Sequence, residues 1–153
     1  MIQRIQSLYL FIVTILSVVG LCTSVGRFVN DGVLVAKLYN LCMTMQPSGE
    51  RDFAPWAVFV LLLMVAVVSL FAIFLFRRRM VQIRLVIFSG LLLVGYYVAL
   101  ACFAWYLSDA ISGMEFHVSW TAALPAVSLI LEYLAFRAIR RDEMIVRSLD
   151  RLR

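Results

Sequence analysis

Residues 131–153 read LEYLAFRAIRRDEMIVRSLDRLR, and this stretch decides the fold. Its first six residues close an apolar segment, and the next seventeen carry six arginines. No glycine or proline interrupts the stretch, so nothing in it ends a helix. We therefore predict an apolar helix that leaves a membrane and continues as a cytoplasmic helical tail over 138–153.

The composition of the whole chain agrees with a membrane location. Of the 153 residues, 64% are hydrophobic and 15% are charged, against about 45–50% and about 25% in ordinary globular domains. The apolar residues come in runs of about 20, the length that a helix needs to cross a bilayer. The sequence predicts one polytopic helical membrane domain over 1–153.

Four apolar runs define the predicted fold class, an all-α membrane protein built as a four-transmembrane-helix bundle with up-down-up-down topology. The first run is too long for a signal peptide and lacks a small-residue cleavage site, so we interpret it as a retained span. The predicted spans are 8–26, 55–76, 85–107 and 120–137. External loops then cover 27–54 and 108–119.

The long external loop has the pattern of a small β-hairpin. Short apolar segments at 28–29 and 33–35 flank Asn30-Asp31-Gly32, and an Asp-Gly pair is typical of tight hairpin turns. Residues 115–119, EFHVS, are a candidate third strand in the other external loop. We expect this hairpin to lie at the membrane surface or to pair with another segment.

The distribution of basic residues predicts the orientation. If both termini lie on one side, that side holds eleven of the 14 Lys and Arg residues, and such an excess marks the cytoplasmic side. Trp56, Trp105 and Trp120 fall at the predicted outer helix ends, where tryptophan favours the membrane interface. The sequence predicts cytoplasmic N- and C-termini.

The same basic residues are candidate binding groups. The net charge of +5 lies beside the apolar runs, which favours anionic lipid headgroups over nucleic acid, for which no motif is present. A membrane-protein partner or a second copy of the chain is the other expected contact. The candidate residues are Arg77, Arg78, Arg79, Arg84, Arg137, Arg140, Arg141, Asp142, Glu143, Arg147 and Arg151.

Glu132 is the one acidic residue inside an apolar run, and ionisable groups in a span are costly enough to suggest a function. One interpretation is a proton or cation site that faces the bundle interior. The other is a structural ion pair at the cytoplasmic interface, because Arg137 lies five residues on and Arg84 or the run at 77–79 lies near. An arginine partner would favour structure, and a polar cavity would favour transport.

The remaining polar and small residues give weaker signals. Cys22, Cys42 and Cys102 form no CxxC pair, and the sequence leaves an external disulfide and free thiols equally open. Small residues recur at Ser17, Gly20 and Ser24, and at Gly90, Gly95 and Ala99, where another helix can approach closely. We predict no metal, cofactor or catalytic residue.

Both ends of the chain resemble a known family. The start, MIQRIQSLYLF, and the end, FRAIRRDEMIVRSLDRLR, are similar to small four-span bacterial membrane proteins associated with Bacteroidota and classed as a domain of unknown function. The resemblance implies an inner-membrane protein with both termini inside. It supplies no activity or substrate.

Three functions are consistent with these observations. The first is a non-enzymatic accessory or scaffold subunit of a membrane assembly, because the spans are poor in polar groups and the tail combines an apolar stripe with charges. The second is a small oligomeric transporter or channel that uses Glu132. The third is a membrane enzyme acting on lipid or quinone.

Overall fold

The computed structural model describes residues 3–30, 32–46, 48–75, 78–110 and 114–150. Within them lie four helices that are long and apolar enough to cross a membrane. These are α1 (Gln3–Cys22), α2 (Trp56–Phe74), α3 (Arg79–Ala110) and α4 (Leu124–Asp150). The four predicted spans are thus confirmed as apolar helices.

The end of α1 and the start of α3 differ from the predicted bounds in an informative way. Helix α1 ends at Cys22, four residues before the predicted end at 26, because Ser24 already belongs to a strand. Helix α3 begins at Arg79, six residues before its predicted start. The predicted bounds leave residues 79–84 between two spans. In the structure Met80, Val81 and Ile83 lie within α3 and continue it without an interruption.

The helical tail is confirmed, because α4 runs without a break from the apolar segment to Asp150. A short 3-10 turn, Trp120–Ala123, precedes it. A helix of 27 residues is about 40 Å long at about 1.5 Å per residue, which exceeds the roughly 30 Å of a hydrocarbon core. Helix α4 is therefore long enough to extend well beyond the apolar layer.

Each helix packs against two of the others: α1 contacts α2 and α4, and α3 contacts α2 and α4. Gly20 allows the close approach of α1 and α2, since a Cβ there would lie 3.3 Å from Leu62 Cδ2. Gly95 does not act in this way, because a Cβ there would meet nothing within 4 Å.

The predicted hairpin is confirmed as part of a larger antiparallel sheet. Strands β1 (Ser24–Asn30) and β2 (Val33–Tyr39) form it, and Gly32 between them has a φ of 79°. Strands β3 (Met43–Met45) and β4 (Arg51–Asp52) extend the β2 side. The predicted third strand is also present, as β5 (Met114–Val118), and the strand order is β4-β3-β2-β1-β5.

The pairing of β1 with β5 joins the α1–α2 connection to the α3–α4 connection. Arg27 lies opposite His117 and Phe28 lies opposite Phe116, with ring centroids 4.9 Å apart. The inner face of the sheet, including Val25, Phe28 and Leu38, forms one core with residues of the helices. The sheet therefore closes one end of the helix packing.

Hydrogen bonds from two adjacent tyrosines of α3 connect this helix to the segments that flank the sheet. Tyr96 Oη in α3 donates to Asn40 Oδ1 at 2.9 Å, and Asn40 Nδ2 donates to the Gly20 carbonyl of α1 at 2.7 Å. Tyr97 donates to the Ala122 carbonyl at 2.6 Å. Both mid-span tyrosine hydroxyls thus have the partner that a hydroxyl in an apolar layer requires.

Candidate functional site

Glu132 lies in the interior, where three helices meet. Its side chain in α4 is only 2% exposed. Ser89 of α3 donates a hydrogen bond to Glu132 Oε1 at 2.5 Å, and Ser69 of α2 donates to the same oxygen at 3.4 Å. The two serine hydroxyls are 3.3 Å apart. We name Ser69, Ser89 and Glu132 the serine–glutamate cluster.

Of the two interpretations of Glu132, the ion pair with an arginine is not found among the residues that the structure describes. Among the described residues, its hydrogen-bond partners are the two serines, and no arginine pairs with its carboxyl group. The reason is the direction in which α4 points this residue. Glu132 points into the interior, towards Ser69 of α2 and Ser89 of α3, whereas Arg137, Arg140 and Arg141 lie on exposed positions of the same helix.

One oxygen of this carboxyl group lacks a partner. Oε2 of Glu132 is buried and makes no hydrogen bond in the described structure. It lies beside Gly90 of α3, where a Cβ would be 3.4 Å away from it. A buried polar atom without a partner costs roughly 1–3 kcal/mol. This oxygen can therefore form a further hydrogen bond inside an apolar layer.

A groove of about 460 Å³ runs between α3 and α4 beside this oxygen. We name it the α3–α4 groove. Apart from Glu132 and the Tyr133 hydroxyl, its side chains are apolar. Its walls come from Val86 and Ile87 on α3 and from Leu129, Ile130 and Phe136 on α4. The cavity beside Glu132 is thus apolar, whereas a polar cavity would favour transport.

The ion pair that the structure does contain joins the start of α3 to the tail. Arg79 Nη2 lies 3.3 Å from Asp142 Oδ2, and Arg79 Nη1 donates to the Asp142 carbonyl at 3.3 Å. Both side chains are partly buried. Two of the candidate residues therefore pair with each other.

The other candidate residues are spread along the same end of α3 and α4. The exposed ones that the structure describes are Arg78, Arg84, Arg137, Arg140 and Arg141. Glu143 is half-buried and engaged in an interaction of its own, and Arg147 lies within α4. Arg77 and Arg151 lie outside the described residues. A second cavity, of about 550 Å³, is lined by Phe136 and by Arg137, Arg140 and Arg141.

Ser69 and Ser89 are the site residues that sequence reasoning missed. Each is a hydroxyl within an apolar helix, and a hydroxyl in hydrocarbon needs a hydrogen-bond partner. That signal, set beside the lone carboxyl group of Glu132, could have indicated that the three side chains meet. Gln82 is a similar case, since its buried Nε2 donates to the Ala72 carbonyl of α2 at 3.1 Å.

The remaining candidate groups stay separate. The three cysteines are free thiols, with Cys22 and Cys102 exposed. His117 lies 3.5 Å from Glu115 on exposed strand β5. Within the described ranges, no three His, Cys, Asp or Glu side chains are grouped as metal ligands would be.

Four apolar, mutually packed helices capped by a small sheet define a helical membrane protein with four candidate spans. A family model described as a domain of unknown function (DUF4293) matches residues 2–152, almost the whole chain. The chain belongs to this family, which confirms the expected membership in a domain of unknown function. A search of curated proteins finds no match.

Proposed function

We propose that this protein is a non-enzymatic accessory or scaffold subunit of a membrane assembly. One observation carries the proposal: α4 continues from Asp142, which pairs with Arg79 of α3, to Asp150. Just beyond that pair, the side chains of Met144 and Ile145 are 58% and 42% exposed. Arg140 and Arg141 lie exposed one turn earlier.

This surface fits an acidic partner protein. Apolar side chains can form the core of a protein interface. Exposed arginines beside them favour a partner with acidic groups. The polar groups inside the apolar helices support the same conclusion, because those of the serine–glutamate cluster and Gln82 bond to neighbouring helices. Their bonded atoms hold the helices together, which leaves the tail as the exposed part suited to a partner protein.

We also propose the bacterial inner membrane as the location, with both termini in the cytoplasm and the sheet outside. The basic residues support this orientation through the positive-inside rule. Trp56, Trp105 and Trp120 support it as well, since each is more than half exposed near the end of an apolar helix. The β1–β5 pairing requires the two connections to lie together, as up-down-up-down topology expects.

The experiment is a site-specific photocrosslink from the tail. A photoreactive phenylalanine analogue replaces Met144 in cells, and the protein is purified in mild detergent. The expected result is a discrete crosslinked partner that is lost in the double variant Arg140→Glu/Arg141→Glu. The matched control is Arg27→Glu/Lys37→Glu, which reverses two exposed charges on the sheet. Recovery of the protein alone, in every case, would contradict the proposal.

A small oligomeric transporter or channel using Glu132 is the second candidate. The burial of this carboxyl group and its free oxygen favour it, whereas the apolar lining of the adjacent groove does not. Ion or proton flux through reconstituted vesicles tests the role of this residue. If Glu132→Gln leaves a measured flux unchanged, Glu132 has no part in transport.

A further inference from the structure

The α3–α4 groove has the size and the walls of a ligand site. Its volume of about 460 Å³ falls within the roughly 300–1,000 Å³ of small-molecule pockets, which are also mostly apolar with a few polar groups. Its mouth includes Ile87, Ile130 and Tyr133, which are 55%, 61% and 62% exposed. This surface belongs to the apolar part of the helices, so a ligand would enter from the hydrocarbon layer.

The floor of the groove presents a specific polar group. Glu132 is 2% exposed, and its Oε2 has no hydrogen-bond partner while Oε1 is bonded to Ser89 and Ser69. The serines thereby fix the orientation of the carboxyl group and leave one oxygen for a further partner. Packing alone does not need this arrangement, since an apolar residue would avoid the cost of an unpaired polar atom.

Gly90 contributes no side chain beside this oxygen. A Cβ at this position would lie 3.4 Å from Oε2 and 3.9 Å from Leu129 Cδ1. Both are ordinary van der Waals distances, so an alanine would fit here and would place a methyl group in contact with Oε2. A ligand that bonds Oε2 therefore competes with any side chain at this position.

We propose that the α3–α4 groove binds a neutral, membrane-dissolved molecule whose apolar body lies along the walls and whose hydroxyl head bonds Glu132 Oε2. A hydroxyl group suits this oxygen because it can both donate and accept a hydrogen bond. It therefore fits an ionised or a protonated carboxyl group. A charged head would have to lose its hydration to reach this depth, which is costly. The proposal does not depend on the scaffold function.

The test uses a photoreactive probe in vesicles of neutral phospholipid. The purified protein is reconstituted with a long-chain alcohol that carries a diazirine, and the labelled residues are mapped by mass spectrometry. The expected result is labelling at groove residues such as Val86 and Leu129. Gly90→Ala should lower this labelling about tenfold, which corresponds to about 1.4 kcal/mol, because the new methyl group covers Oε2.

Gly95→Ala is the matched control, since it makes the same change on the same helix where a Cβ meets nothing within 4 Å. It should leave the labelling unchanged. Equal labelling in the wild type and both variants would overturn the proposal.

A competition experiment tests the head group without any substitution. Unlabelled hexadecanol should displace the probe from the wild-type protein, and hexadecane at the same mole fraction should not. Equal displacement by both would show that the groove takes any chain, which overturns the role of Glu132. Displacement by neither would overturn the site itself.

Discussion

Ser69 and Ser89 contact the same oxygen of Glu132 at unequal distances. Both side chains are buried, but the bond from Ser89 is 2.5 Å long and that from Ser69 is 3.4 Å. Hydrogen bonds weaken towards the longer distance. At the residue scale, Ser89 is therefore the group that holds the carboxyl group in place.

Ser89→Ala should destabilise the protein by about 1 kcal/mol, since hydrogen bonds between membrane helices contribute about 0.6 kcal/mol on average and about 1.7 kcal/mol at most. Ser69→Ala, the matched control at the longer distance, should cost less. Unfolding in mixed micelles with increasing SDS measures both changes. Equal losses for the two variants would contradict the unequal roles of the serines.

The environment of Glu132 could be predicted only in part. The sequence indicates that a lone carboxyl group in an apolar run must find a partner, and this expectation is correct. The sequence left two interpretations open, an interior site and an ion pair with an arginine, because the partner depends on which way α4 faces. That direction follows from the packing of α4 against α1 and α3, which no local pattern encodes. The roles expected for the exposed arginines stay predictions.

At the scale of elements, an ion pair joins the tail of α4 to α3. Arg79 contacts both the carboxyl group and the backbone carbonyl of Asp142. Partly exposed ion pairs contribute little to global stability, about 0–1 kcal/mol. Their local effect is larger here, because this pair joins the start of α3 to the part of α4 that leads into the tail.

Arg79→Gln should raise amide hydrogen exchange in α4 beyond Asp142 while it changes the free energy of unfolding by less than about 1 kcal/mol. Arg84→Gln, an exposed arginine of the same helix, is the control and should change neither. Exchange followed by mass spectrometry on the purified protein provides the measurement. Unchanged protection in Arg79→Gln would show that the tail is held elsewhere.

The pairing of β1 with β5 depends on a glycine. A Cβ at Gly26 would clash with the ring of Phe116, which packs on Phe28. Gly26→Ala should therefore displace Phe116 and raise amide hydrogen exchange in the residues of β5 that pair with β1. Gly95→Ala, where a Cβ has open space, should leave β5 protected. Normal protection of β5 in Gly26→Ala would contradict this account.

The strands show what local sequence can and cannot predict. Asn30-Asp31-Gly32 indicates the hairpin, and the segment 115–119, EFHVS, indicates a strand, because both signals are short-range. The pairing of β1 with β5 is not local and was left open. Ser24 belongs to β1, although the first predicted span includes it. Hydrophobicity alone does not separate a helix end from a buried strand.

At the scale of the whole molecule, hydropathy and charge predict the four helices because a membrane imposes strong constraints on length and polarity. The orientation rests on the same constraints, and it leads to a direct test. A green fluorescent protein fused after Arg153 should fluoresce, and an alkaline phosphatase fused there should be inactive. Phosphatase inserted between Gln46 and Glu50 should be active. The opposite pattern would reverse the proposed orientation.

The position of β1 between β2 and β5 has a consequence for biosynthesis. Its partner residues in β5 follow about 90 residues later in the chain. At about 5–20 residues per second, the ribosome needs roughly 5–18 seconds to make that segment. During this time two more spans must enter the membrane while one edge of β1 stays unpaired, and unpaired edges invite wrong pairing. Completion of the sheet is therefore a late step, because β5 can pair with β1 only after α2 and α3 have been inserted.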